Sequence, residues 1–288
     1  MDPKRDVILI TGATGKQGGA VARHLLAEGA RIRAVTRKPE SPAARALASQ
    51  SVEVVAADFE DEAAMTRAMQ GVWGMFAVQN TWEAGVEREE RQGKLVAELA
   101  RKAGVQHYVY TSVASAQRDT GIPHFDNKWR VEQTVRSLKF PSHVILRPVF
   151  FMENFVQPSF GLPQGKLTIA LPPDRPLQTV AVDDVGKYGA RAFLRASEMA
   201  GQELDIAGDS LTGPQAAAAL SDGLGRNISF EQQPLEQVRA FSQEYAIMLE
   251  WFDKVGYNAD IEGNARRFGI KPTRLREWAA ANRGTLGK

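Results

Sequence analysis

Cysteine is absent from all 288 residues. That excludes disulfides, a thiolate nucleophile and cysteine-ligated metal, and it suits a reducing cytoplasm, the location expected here. An excess of one charge is also lacking: 36 basic and 34 acidic residues leave a formal net charge of +2, with the signs interspersed. Direct nucleic acid binding calls for a concentrated basic face and is not expected. No apolar run approaches the roughly eighteen residues of a membrane span, and no secretory hydrophobic segment is read before the first strand, so no membrane role is expected. Histidine is scarce; His24 and His107 have no partners at metal-ligand spacing, and no metal is expected. Repeats and low-complexity tracts are missing too. What remains is an ordinary globular composition with 43% hydrophobic residues, enough for a large α/β domain or a domain with a smaller lobe.

The most telling stretch is 7–25. A β-branched apolar run (Val7, Ile8, Leu9, Ile10) breaks into a turn carrying Gly12, Gly15 and Gly18, and a helical pattern follows. This is the G-x-x-G-x-x-G variant of the dinucleotide fingerprint. Gly12 lets the chain leave the strand sharply, Gly15 lets backbone approach a pyrophosphate, and Gly18 lets helix pack close to sheet. With Thr14, Lys16 and Gln17 between them, these residues form the candidate phosphate cradle, at the positive end of a helix dipole.

Strand and helix patterns then alternate: strands over 7–11, 31–36, 52–57, 72–78, 107–112 and 142–147, helices over 18–28, 42–49, 62–69, 86–103 and 123–137. That rhythm predicts an α/β fold, a Rossmann-type doubly wound parallel sheet, with residues 1–155 as its dinucleotide-binding core. Residues 156–288 are expected to add further core elements and a smaller, mainly helical C-terminal lobe on the substrate or partner side. Prolines and glycines make 158–176 irregular; strands are expected over 178–182 and 203–207, and helices from 183 and over 213–224, 236–254 and 273–282.

Strand two ends in Thr36-Arg37-Lys38, with no acid until Glu40. An NAD site wants a carboxylate there, whereas a guanidinium grips a 2′-phosphate. The expected cofactor is NADP(H), with Arg37 as main contact and Lys38 secondary; solvated charges at a loop mouth are the bland alternative. Asp58 and Phe59 end strand three, to border the adenine, although Asp58 can equally cap the following turn. Ala77, Val78 and Gln79 end strand four on the path toward the nicotinamide ribose.

The chain resembles the NmrA-like branch of the atypical short-chain dehydrogenase/reductase superfamily. The resemblance rests on Thr11 to Gly19, Val35-Thr36-Arg37, Gln92-Gly93-Lys94, His124-Phe125-Asp126-Asn127-Lys128, Arg147 to Phe155 and Val182 to Gly186. It implies NADP(H) binding, with Pro148, Phe150 and Asn154 adding to the cofactor site. It also implies members that act as redox-sensing regulators, and relatives that reduce quinones, dyes or phenylpropanoid-type substrates.

Active short-chain reductases commonly carry Tyr-x-x-x-Lys after strand five, a spacing that puts both side chains on one helix face. Here His124 and Lys128 take those places, so the lysine that holds ribose is present and the tyrosine is not. His124 can itself donate a proton or be a polar residue in the first turn of a helix opened by Pro123. Ser112, ending strand five, can bond a substrate carbonyl or tie down its loop. Tyr108 and Tyr110 are expected to pack against neighbouring elements. Met248, Trp251 and Phe252 follow helical spacing, as core or as the lining of an apolar pocket. The function expected is a redox-sensing regulator with weak or no dehydrogenase activity. The alternative is an NADPH-dependent reductase of a quinone or other hydrophobic acceptor. The partner is a small hydrophobic substrate or a regulatory protein; oligomeric state is not legible.

Overall fold

The computed structural model describes residues 2 and 5–286. Contacts gather the chain into two compact units, and the division is not a single cut: Met1–Gln117, His124–Arg147 and Val185–Leu204 form the first, and Arg118–Pro123, Pro148–Asp184 and Asp205–Lys288 the second.

The first unit begins as the alternating pattern predicts. Strands β1 (Val7–Thr11), β2 (Arg31–Thr36), β3 (Glu53–Ala56), β4 (Val72–Ala77), β5 (His107–Thr111) and β6 (Ser142–Pro148) are separated by helices α1 (Lys16–Ala27), α2 (Pro42–Ala48), α3 (Glu62–Ala68), α4 (Thr81–Ala84), α5 (Val86–Lys102) and α6 (Pro123–Ser137). Two details differ from expectation. Helix α1 starts two residues earlier than read, because Gly15 itself is the N-cap, and α4 is a short helix capped by Asn80 that no periodicity announced.

Further along run β7 (Phe150–Phe151), β8 (Lys166–Ile169), β9 (Leu177–Val180), α7 (Val182–Leu194), α8 (Ala196–Met199) and β10 (Glu203–Ile206). The main sheet has seven strands in the order β10-β6-β5-β4-β1-β2-β3, one more than the six read along the first half. Pairings from β3 through β6 are all parallel. The order reverses between β1 and β4, and ligands of doubly wound sheets bind beyond the strand ends at such a switch point.

One sheet face is covered by α3, α5 and α6 over Leu9, Met65, Met69, Met75, Val96 and Val135, all fully buried. On the other, α7 lies against α1 without intervening side chains: a Cβ on Gly186 would stand 2.7 Å from that of Ala20, and one on Gly189 2.5 Å from Val21 Cγ2. Helix α6 is fastened at the sheet edge by a buried cluster. Arg147 Nε and Nη2 donate to the Glu132 carboxylate at 2.9 and 2.6 Å, and Nη2 also donates to Glu203, which Arg136 grips with two bonds of 2.7 Å.

The second unit continues with β11 (Asp209–Leu211), α9 (Gly213–Leu224), β12 (Ser229–Gln232), α10 (Leu235–Phe241), α11 (Gln243–Lys254), α12 (Ile261–Phe268), α13 (Leu275–Ala281) and α14 (Arg283–Leu286). Its helices are joined by two small sheets, β11-β9-β7 and β12-β8. The stretch 158–176 is therefore not wholly irregular, since β8 pairs with β12 in parallel. The single helix expected over 236–254 is two, because Ser242 leaves the helical region and caps α11 by accepting the Tyr245 N–H. Trp251 and Phe252 are buried among Phe150, Tyr257 and each other, the core reading of that stripe. No described helix is long and apolar enough to cross a membrane.

Candidate functional site

The glycine turn has the geometry its spacing predicts. Gly12 sits at φ +60°, where only glycine is unstrained, and a Cβ there would meet Val78 Cγ1 at 2.8 Å. A Cβ on Gly18 would stand 2.5 Å from the Gly12 carbonyl carbon and oxygen, so helix and turn touch backbone to backbone. The turn closes through Gly15 N–H to Gly12 O at 2.9 Å, and the first helical bond is Gly19 N–H to Gly15 O. Among the described residues no side chain caps α1, and the N–H groups of Lys16, Gln17 and Gly18 lack helical acceptors. Thr14, Gly15 and Lys16 are exposed around them. Two threonines to which the sequence analysis gave no role hold this turn. Thr11 Oγ1 accepts the Val78 N–H at 2.8 Å, locking the ends of β1 and β4 together, and Thr111 Oγ1 donates to Gln17 Oε1 at 2.8 Å from the end of β5.

Along the strand ends, the predicted residues keep distinct company. Arg37 is exposed and donates to Glu83 on α4, a partner no sequence signal indicated. Lys38 is exposed beside it. Asp58 acts as the turn cap that sequence reasoning left open, accepting the Glu60 N–H at 2.9 Å, while Phe59 packs on the core. Ala77 is buried and Val78 half-buried.

Deeper in, several buried polar atoms have no partner among the described residues. Both ends of the Gln79 amide, Ser112 Oγ and Asn127 Oδ1 are orphaned. Gln79 and Ser112 each lie two residues past the Ala77–Tyr110 register pair, at the ends of β4 and β5. Buried polar groups without partners are costly, and an amide and a hydroxyl at a switch point suit a polar ligand.

Lys128 is bound to a carboxylate that sequence reasoning did not name. Its Nζ donates to Glu89 Oε1 at 2.6 Å; Glu89 also accepts from Asn127 Nδ2 at 2.9 Å and from Thr81. Burial alone would raise the Glu89 carboxyl. The Lys128 charge and the bonds from Lys128, Thr81 and Asn127 outweigh that and hold it below its ordinary value. The signal was present in the periodicity. The buried residues of α5 are Glu89, Gln92, Gly93, Val96, Ala97, Leu99 and Ala100, and one of them is a charge on an otherwise uncharged face.

His124 is buried, its ring 5.5 Å from Trp82 and 4.9 Å from Phe125. Tyr108 and Tyr110 are core residues: Tyr108 stacks on Phe140, and burial raises both phenols well above the ordinary 10. His107 is structural as well, bonded through Nδ1 to Ser142 Oγ at 2.8 Å and pushed down to about 4 chiefly by burial.

Pro148, Phe150 and Asn154 belong to the second unit. Phe150 stands in a cluster with Phe155, Phe160 and Phe252, and the Asn154 carbonyl accepts from Gln157 N–H. The acids beside them are fasteners. Glu153 accepts the Val182 N–H and the Trp278 indole N–H, and Asp184 accepts the Thr273 N–H and hydroxyl at 2.7 and 2.8 Å.

Known proteins share this organisation. The oxidoreductase FrzB of Cladobotryum sp is 37% identical over 170 residues, 54% of this chain, and the chain spans only 51% of that protein. A (4-alkanoyl-5-oxo-2,5-dihydrofuran-3-yl)methyl phosphate reductase of Streptomyces griseus is 30% identical, over 95% of this chain and 97% of the relative. Among solved structures, the NADPH-dependent quinone oxidoreductase QOR2 of Escherichia coli, complexed with NADPH, superposes with a TM-score of 0.81 at 26% identity, over 95% of this chain and 99% of that one. The model of the NmrA-like family matches residues 4–279, and the chain belongs to that family.

Proposed function

We propose that the protein binds a nicotinamide dinucleotide, prefers NADP(H), and reduces a small hydrophobic acceptor of the quinone class. The observation that carries the reading is the cradle: uncapped N–H groups at the start of α1, over a turn so close that no side chain fits at Gly18. Such a terminus binds phosphate through oriented donors and the helix dipole. The orphaned atoms of Gln79 and Asn127 fit the polar parts of the same ligand, and the orphaned Ser112 hydroxyl suits the acceptor. The likeness to the NADPH-bound quinone oxidoreductase supports both halves of the proposal, and that to the Streptomyces reductase supports a reduction.

When bound, a reduced nicotinamide supplies the hydride. Lys128 holds the ribose hydroxyls and places a positive charge, oriented by Glu89, near the reacting end. Ser112 donates to the acceptor oxygen. Arg37 takes the 2′-phosphate, with Lys38 beside it.

The acceptor class follows from what stands at position 124. A positioned acid is worth about a hundred- to ten-thousandfold in rate, and the expected phenol is replaced by an imidazole packed between rings. An ordinary ketone leaves a basic alkoxide that needs that proton. A quinone leaves an anion stabilised by aromaticity and tolerates its absence.

The test is loss of reduced-nicotinamide absorbance across a panel of quinones and dyes. Sustained turnover that falls by about tenfold or more in Lys128→Ala, with NADPH preferred over NADH, is expected. Tight NADPH binding with no turnover anywhere in the panel would overturn the reductase and leave a cofactor-loaded regulator, the other function the family resemblance implies.

A further inference from the structure

We infer that Glu83 is a specificity-determining residue, an internal rival of the 2′-phosphate of NADP(H) for Arg37. The inference rests on the dinucleotide reading above. Arg37 directly follows β2, where an adenosine ribose is met in this fold, and its guanidinium donates to Glu83, 46 residues further along the chain. The two side chains are 55% and 56% exposed, so nothing seals the pair and a solute can compete for it. A carboxylate and a phosphate are the same kind of ligand for a guanidinium, each accepting its forked donors. The phosphate must therefore displace the carboxylate or share its donors with it. A ribose with a free 2′-hydroxyl carries no such requirement.

The chain thus holds both the cation that favours the extra phosphate and an anion that opposes it, and the pair narrows the gap between the two coenzymes. The rival is well placed to report its displacement. Helix α4 is capped by Asn80, which accepts the Trp82 N–H at 3.1 Å. Its Thr81 bonds the same Glu89 that holds Lys128, and its Trp82 lies beside His124.

The test is calorimetric titration of NADPH and NADH into wild type, Glu83→Gln, Arg37→Gln and the double variant. Glu83→Gln should tighten NADPH about two- to fivefold, the scale of an exposed pair, with NADH unchanged. In the Arg37→Gln background the same substitution should do nothing. Equal NADPH affinity in wild type and Glu83→Gln would overturn the inference. So would tightening that persists without Arg37, which reduces Glu83 to one charge in a general field. If Arg37→Gln leaves NADPH affinity unchanged, the phosphate assignment falls and the rivalry with it. Folded wild type that binds neither coenzyme would instead fell the dinucleotide reading itself.

Discussion

Among the described ion pairs that join a cation to a glutamate on α4 or α5, Lys128–Glu89 and Arg37–Glu83 differ above all in burial. Lys128 and Glu89 are 12% and 1% exposed; Arg37 and Glu83 are both more than half exposed. In the buried pair the carboxylate has further donors, Thr81 and Asn127, and loss of either partner leaves a charge that water reaches poorly. In the open pair water substitutes for a lost partner at once. The same chemistry therefore makes a fixed fitting in one place and an exchangeable contact in the other. On the proposed function, a site that holds Lys128 still and yet admits a phosphate at Arg37 needs one of each.

The comparison breaks most easily at Glu89. Replacing it with leucine takes an acceptor from Lys128, Thr81 and Asn127 together, and removing one member of a buried pair typically costs about 3–5 kcal/mol. Urea denaturation should show a loss of that size. A loss under about 1 kcal/mol would put the two pairs in the same class. Next in size is Arg37→Gln. Charge-assisted bonds to a phosphate are worth about 1.5–3 kcal/mol, so NADPH should weaken roughly ten- to a hundredfold, while NADH and the denaturation midpoint stay close to wild type.

A pH series sharpens the contrast. The Glu89 carboxyl is held below its ordinary 4.5 in the folded chain. A depressed carboxylate stabilises fully above its unfolded value and ceases to do so as pH falls through its folded one. Thermal melts of wild type should hold down to about pH 5 and then decline as Glu89 and other depressed carboxylates such as Glu203 protonate. Glu89→Gln should be less stable at neutral pH and should converge on wild type in acid. A constant gap between the two curves would mean that the Glu89 charge is not what stabilises the pair.

The same contrast explains what could be read from sequence. Glycines are demanded locally, by a positive φ at Gly12 and a missing side chain at Gly18, so the cradle was legible; strands β1 to β6 announced themselves as apolar runs between helical repeats. Ion-pair partners are chosen across 39 and 46 residues, and the run from Glu83 to Arg91 offers several acids with no local reason to prefer one. Glu89 alone left a trace, as a charge on a buried helical face. Helix α4 spans only four residues, too few for periodicity. The short parallel pair β8 and β12 hid because one lies among prolines and glycines and the other is largely polar. Ser242 lies inside the stretch read as one helix over 236–254 and is a cap.

The smallest effect is the most discriminating. Exposed pairs contribute about 0–1 kcal/mol to stability, so Glu83→Gln should shift the urea midpoint barely at all. What small coupling exists between Arg37 and Glu83 in a double-substitution cycle should fade as salt is raised. Near 1 M the screening length is about 3 Å, and solvated charges no longer sense each other well. Lys128 and Glu89 are largely buried and so less screened, and their coupling should survive the same titration. Fluorescence adds a second reading, because Trp82 is 72% exposed next to Glu83. If NADPH frees Glu83 from Arg37, emission lost in Trp82→Phe should be the part that responds to NADPH in preference to NADH, and Glu83→Gln should show part of that change before any coenzyme is added. A salt-resistant Arg37–Glu83 coupling, or a Trp82 signal identical for both coenzymes, would mean that the open pair is as fixed as the buried one.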